Sequence, residues 1–309
     1  MTASIAEVES APSGTIQPGA ALPGALATPS RRGQLSAGAS LLLLAPLVLL
    51  LGWAFFLPII RLLLTSVTRP HLNVANYIRL ATQPLYVEVF FRTIWISFAT
   101  AVLALLLGYP VAALMARPGG KFPKLAAVCV LVPLWTSGLI RSYAWITLLQ
   151  RNGVINNALL GLGVIHAPLT MLYTDGAVLL AMTHTLLPFM VLPIFSVLKS
   201  LPQDLPRAAL NLGASRARAF LAVTLPLSLP GVAAGCLLVF VMALGFYITP
   251  ALLGGPRTLM IATLISQQAT EVLNWPFAGA LSCVLLVLSL GITIGFKRLL
   301  RLDRVVSHD

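Results

Sequence analysis

The stretch LPRAALNLGASRARAFLAVTLPLSLP, residues 205–230, decides how the chain is read. It is a polar, basic interruption between two long apolar segments. Pro206 suits the first turn of a short helix, where its missing N–H is not needed. Ala208, Ala209 and Leu212 then fall on one face. Gly213 permits a sharply turned or left-handed backbone. Ser215 can cap a second helix, on which Ala217, Phe220, Leu221 and Thr224 share a face. Pro226 and Pro230 are expected to close the stretch before the next apolar run. The whole reads as a helix, a glycine turn and a helix between two membrane spans, with small residues that let another protein's backbone approach closely.

Working outward, the 309 residues are 58% hydrophobic and only 9% charged. A soluble domain carries roughly 25% charged residues, so the expectation is an all-α integral membrane protein. No polar stretch after residue 35 is long enough to build a separate soluble core. The net charge of +12 does not point to nucleic acid, because the cations sit at the ends of apolar runs rather than in one dense patch. Cys129, Cys236 and Cys283 each lie inside an apolar run and lack metal-ligand spacing. Gly119-Gly120-Lys121 is followed by Phe122 and lacks the earlier glycine of a phosphate-binding loop. The chain is therefore expected to hydrolyse no ATP itself and to carry neither cofactor nor metal.

Residues 1–34 are rich in Ala, Pro, Gly, Ser and Thr and read as a disordered tail. They do not look like a signal peptide, since a polar, acidic start precedes any apolar region. Apolar runs then predict six spans, at about residues 39–62, 93–116, 125–148, 176–198, 229–253 and 275–297, each near the roughly 20 residues that cross a bilayer. Residues 65–92 are mixed and can lie partly on the membrane surface. Residues 152–174, broken by glycines, Pro168 and several asparagines, read as an external loop or surface helix. Arg141 interrupts the third run and either snorkels to the interface or faces a polar cavity. His184, Pro188 and Pro193 fall in the fourth. With the N-terminus in the cytoplasm, thirteen of the 20 cations lie inside, including those of the tail at 299–309, and seven outside. That bias agrees with the positive-inside rule and places residues 202–228, between spans four and five, in the cytoplasm.

Ala208-Ala209, then Gly213 after three intervening residues, and Val223-Thr224-Leu225-Pro226 after nine more resemble the EAA loop of ABC importer permeases. Arg207 stands where the family pattern has Glu. Other stretches are similar to permeases of the spermidine/putrescine type: Arg141-Ser142-Tyr143-Ala144-Trp145, Asn152 to Asn156, Leu172-Tyr173-Thr174, residues 187–193, and Phe246 to Gly255. The resemblance covers roughly residues 40–300. It implies a type I importer permease of the bacterial inner membrane, with both termini cytoplasmic and coupling helices between spans four and five. The implied partners are a cytoplasmic ATPase dimer that binds ATP and Mg, a second homologous permease, a periplasmic substrate-binding protein and membrane lipids. It further implies that Arg207, Ala208, Ala209, Gly213, Arg216, Leu225 and Pro226 dock the ATPase by contact and shape.

Trp135, Tyr143, Trp145, Phe189 and Tyr247 can line a substrate route, although membrane aromatics also serve packing and interfacial belts. A polyamine is the leading cargo. Related permeases carry other small organic solutes, such as amino-acid derivatives, and the acids Glu88, Asp175 and Glu271 lie near span ends. Two other classes compete. A secondary transporter would want ionisable groups at mid-membrane, and the apolar runs lack carboxylates. A non-transporting anchor is at odds with the proline-broken spans but fits Arg207.

Overall fold

The computed structural model describes residues 37–68, 74–202 and 204–306, and among these the secondary structure is entirely helical. The expected disordered tail at 1–34 lies outside the described residues. The chain divides into two units, residues 1–55 and 56–309. The first contributes the start of helix α1 (Ala37–Thr68), where Leu47, Val48, Leu49, Trp53 and Phe55 are all more than half exposed. Such an apolar helix surface is stable only in a bilayer or against another subunit.

In the second unit α1 continues to Thr68 and is followed by α2 (Ala75–Thr82) and α3 (Pro84–Met115). Next come α4 (Lys121–Trp135), α5 (Gly138–Leu149), α6 (Val154–Gly161) and α7 (Asp175–Ser200). The organising stretch forms α8 (Asp204–Asn211), α9 (Arg216–Ala219) and the start of α10 (Leu225–Leu244). The chain ends with α11 (Ile248–Leu253), α12 (Ile261–Thr270) and α13 (Trp275–Val306). Among the described residues five helices are long and apolar enough to cross a membrane, or six if the bent pair formed by α4 and the segment beginning at α5 is one span.

Helices α3, α7 and α10 pack on one another as the centre of this unit. Their contact surfaces are built from small residues. Ala104, Gly108 and Ala112 recur every fourth position on α3, and Gly231 and Gly235 form a GxxxG pair on α10. Lipid tails are as apolar as leucine, so membrane helices gain from close backbone approach rather than from apolar burial alone. Met182, Leu186, Met190, Val191 and Ile194 of α7 fill the space between. A second cluster gathers Tyr86, Val89, Ile261, Leu264, Phe277 and Leu281. Beside it the Arg79 guanidinium lies 4.8 Å from the Phe277 ring centroid and 5.6 Å from that of Tyr86, tying α2 to α3 and α13.

Four boundaries differ from the sequence reading. The second span begins at Pro84 rather than near residue 93, because Pro84 opens the helix and Glu88 pairs with Arg92 one turn on, at 2.8 Å. The third is no single rod: Lys121–Trp135 and Gly138–Gly161 meet at 106°. Pro133 sits in the last turn of α4, Thr136 is extended, and the Ser137 hydroxyl accepts the Leu139 N–H to start α5. The fifth span begins at Arg216 and stops at Leu244, not at residue 253. Pro226 and Pro230 do not close the preceding stretch. The helix runs through both: Pro226 follows a π-turn at Phe220–Thr224, where the Leu225 N–H reaches the Phe220 carbonyl, and Pro230 lies inside α10. The sixth helix starts at Trp275 as expected and continues through residues assigned to a tail.

Residues 152–174 contain only the eight-residue α6. Asn156, fully buried, organises the rest: its amide donates to the carbonyls of Gln150 and Leu169, and its Oδ1 accepts the Leu169 N–H at 2.9 Å. Asn156→Leu would leave these backbone groups unpaired, at about 1–3 kcal/mol each if they stay dry. The expected result is a melting temperature lowered by several degrees in detergent, checked by a thermal aggregation scan; an unchanged midpoint would contradict this role.

Candidate functional site

Helix α8 ends in a Schellman motif. The Ala214 N–H returns to the Ala209 carbonyl and the Gly213 N–H to that of Leu210. Gly213 has φ +87°, in the left-handed region, and nothing lies within 4 Å of where its Cβ would be. Glycine is needed there for the turn rather than for close packing. Ser215 then caps α9, its hydroxyl accepting the Arg218 N–H at 3.3 Å. Phe220 packs edge-on to Tyr109 at 5.7 Å, and the Tyr109 hydroxyl meets Ser228 Oγ at 2.9 Å. These contacts hold the π-turn and the start of α10 against α3.

Helix α8 presents two different faces. Leu205, Ala208 and Leu212 are exposed, Leu212 at 89%. At 100° per residue these three and Ala209 share one side. Pro206, Arg207 and Leu210 occupy the opposite side and line a cavity with the ends of α3 and α7. The expected docking residues are therefore not one patch. Ala208, Gly213 and Arg216 are exposed on the loop, Ala209 is half-buried, and Arg207 turns the other way. Leu225 is half-buried in the first turn of α10, and Pro226 beside it is exposed. Leu212 was read only as an apolar position of the helix; an exposed leucine at a helix end cannot be told from a buried one by periodicity.

The five aromatic candidates are not brought together. Trp145 and Phe189 pack against the central helices, while Trp135 (91%), Tyr143 (56%) and Tyr247 (46%) are exposed. Trp145 does have a polar partner, its Nε1 donating to His184 Nδ1 at 3.3 Å. Beside it, Arg141 Nη1 donates to the Thr185 carbonyl at 3.4 Å, and Ser142 Oγ lies 3.0 Å from Thr249 Oγ1. Arg141 Nε is buried without a hydrogen-bond partner. His184 lies nine residues into α7, about 14 Å from its start at 1.5 Å per residue, and is exposed. Arg141, His184 and Trp145 thus form a polar station within the span region. A polar cavity is one of the two sequence readings of Arg141; that it meets His184 depends on α5 lying against α7, which spacing does not fix.

Two of the three acids near span ends, Glu88 and Asp175, are engaged by one arginine. Arg92 binds Glu88 at 2.8 Å and lies 3.9 Å from Asp175. Among the described residues no three His, Cys, Asp or Glu side chains are placed to hold a metal ion.

Residues 104–301 match the family described as binding-protein-dependent transport system inner membrane component. The chain is 36% identical over 273 residues to the spermidine/putrescine transport system permease protein PotB of Salmonella typhimurium, covering 84% of this chain and 95% of that one. It is 33% identical to the inner membrane ABC transporter permease protein YdcU of Escherichia coli, covering 81% and 86%. Among solved structures, a chain of a bacterial ABC transporter involved in import of the acidic polysaccharide alginate superposes with TM-score 0.69 at 21% identity, over 84% of this chain and 94% of that one. That likeness shows a shared fold. The protein belongs to the binding-protein-dependent transport system inner membrane components and is a permease subunit of an ABC importer, in which ATP hydrolysis resides in a separate subunit.

Proposed function

We propose that this chain forms half of the translocation path of a polyamine importer. It works with a second permease, a periplasmic binding protein and a pair of cytoplasmic ATPases that bind ATP and Mg. In this reading both termini are cytoplasmic and α8–α9 is the docking element. The observation that carries docking is the exposed Leu205, Ala208 and Leu212 face ending at the left-handed Gly213. Polyamine cargo is supported by the 36% identity to spermidine/putrescine permeases. Closure of the ATPase pair would move the loop, and the Phe220–Tyr109 and Ser228–Tyr109 contacts would carry that motion into α3 and α10.

A second reading has its own support. The polar station in the spans contains Arg141 and His184 and no carboxylate, and Arg92 already engages Glu88 and Asp175. That chemistry suits a solute with a carboxylate or another acceptor group better than a bare polycation.

The test is ATP hydrolysis by the complete reconstituted complex against a panel of polyamines and amino-acid derivatives. Stimulation by spermidine or putrescine supports the first reading; stimulation by carboxylate-bearing solutes alone replaces it with the second. Gly213→Val is expected to lower the stimulated rate without loss of the protein, because an L-residue at that φ costs about 1–2 kcal/mol. Undiminished stimulation in that variant would remove Gly213 from the coupling role.

A further inference from the structure

The cavity behind α8 has no place in the docking reading. Its volume is about 330 Å³, and it opens where α3 and α7 end. Among the described residues Arg117 and Arg207 are its charged residues, and no carboxylate lines it. Neither guanidinium has an ion pair among the described residues, and both are exposed. Asp204, one turn before Arg207 on α8, is not within ion-pair distance of it. Leu198, Leu201, Leu210 and Phe220 supply an apolar wall. Two exposed guanidiniums lining one cavity make its mouth electropositive and favour an anion there.

We infer that this cavity binds the headgroup of an anionic phospholipid, its phosphate against Arg117 and Arg207 and the start of an acyl chain along Leu198, Leu201, Leu210 and Phe220. Both parts of the lining favour a lipid. A carboxylate from a soluble partner would use the two arginines and leave the apolar wall unexplained. A lipid uses both, and the cavity lies at span ends, where headgroups are found. Lys121 and Lys124 follow Arg117 at the same end of the bundle and add to the local positive potential. Arg207, where the resembling permeases have Glu, becomes a membrane contact on the side of α8 turned away from Leu212. The docking loop would then be held between the bilayer and its partner, and its position would respond to the anionic lipid content.

The test is native mass spectrometry of the full-length chain, purified in detergent and titrated with phosphatidylglycerol, with phosphatidylcholine and tail-less glycerol phosphate as controls. Phosphatidylglycerol is expected to bind in preference to both. Arg117→Gln and Arg207→Gln should each weaken it about five-fold, and the double variant should fall to the level of phosphatidylcholine. Arg207→Lys should retain most of the binding, which separates lost charge from lost fold. Unchanged binding in the double variant would overturn the inference, as would competition by glycerol phosphate equal to that of the lipid. Loss of ATPase capture by Arg207→Gln in lipid-free detergent, with lipid binding intact, would assign the cavity to an acidic group of the ATPase instead. None of these outcomes depends on which solute is carried.

Discussion

Leu212→Asp is expected to abolish stable capture of the cytoplasmic ATPase while leaving the permease folded. Leu212 is 89% exposed at the end of α8, on the same face as Leu205 and Ala208. Its side chain contributes little to the isolated chain, so the substitution should change intrinsic stability by no more than about 0.5 kcal/mol. Against a partner the balance differs. An exposed leucine that a partner buries takes the position of an interface hot spot, where truncation costs about 2 kcal/mol or more, a loss of affinity of roughly 30-fold. An aspartate adds the cost of burying an unpaired carboxylate. Co-purification of the ATPase, measured beside the permease's thermal midpoint, checks both halves. ATPase capture at wild-type levels would place the docking surface elsewhere. Leu212→Ala should give an intermediate result, because it removes the apolar contact without adding a charge.

Local chemistry was the part of this site that could be read directly. Gly213 and Ser215 signal a turn and a cap through their own backbone and hydroxyl requirements, and the structure places φ +87° and the Arg218 N–H contact at those residues. Five of the spans could be counted because long uncharged runs have few alternatives, and the third, which Arg141 interrupts, is the one the structure bends. What escaped depends on which neighbour wins. Pro133 within an apolar run fits either a kinked rod or a sharp bend, and the Thr136-Ser137 junction decides for the bend. Pro226 reads as a terminator, yet a π-turn absorbs it. Arg207 was assigned to the docking surface by its place in a pattern, but a pattern fixes the order of residues and not the side of the helix each one takes. The aromatic path was the least legible: Trp145 and Phe189 pack the core and Trp135 lies exposed, and the same ring chemistry serves both environments.

Gly231→Val should destabilise the packing of the central helices of the permease itself. A Cβ at Gly231 would lie 2.9 Å from the Pro193 carbonyl oxygen and 3.0 Å from Val197 Cβ and Cγ2. Neither obstacle is the free end of a flexible side chain. The first is backbone in a helix already short of a hydrogen bond at Pro193, and the second is a β-branched group with restricted χ1. Gly235, one turn further, is equally confined, with Met190 Sδ at 2.9 Å and the Met190 carbonyl oxygen at 3.1 Å from its Cβ position. There, however, a flexible methionine side chain can yield part of the space. Overpacking typically costs about 1–3 kcal/mol, and the α7–α10 contact has no polar network to offset it. Gly231→Val should therefore lower the yield of folded protein and loosen α7 from α10, with Gly235→Ala milder. Gly52→Val, where no atom lies within 4 Å of the Cβ position, is the control for expression. The readout is the monodisperse fraction after detergent extraction together with the thermal midpoint. A wild-type profile for Gly231→Val would mean that α10 can shift along α7, and that the close approach at the GxxxG pair does not hold the central three helices together.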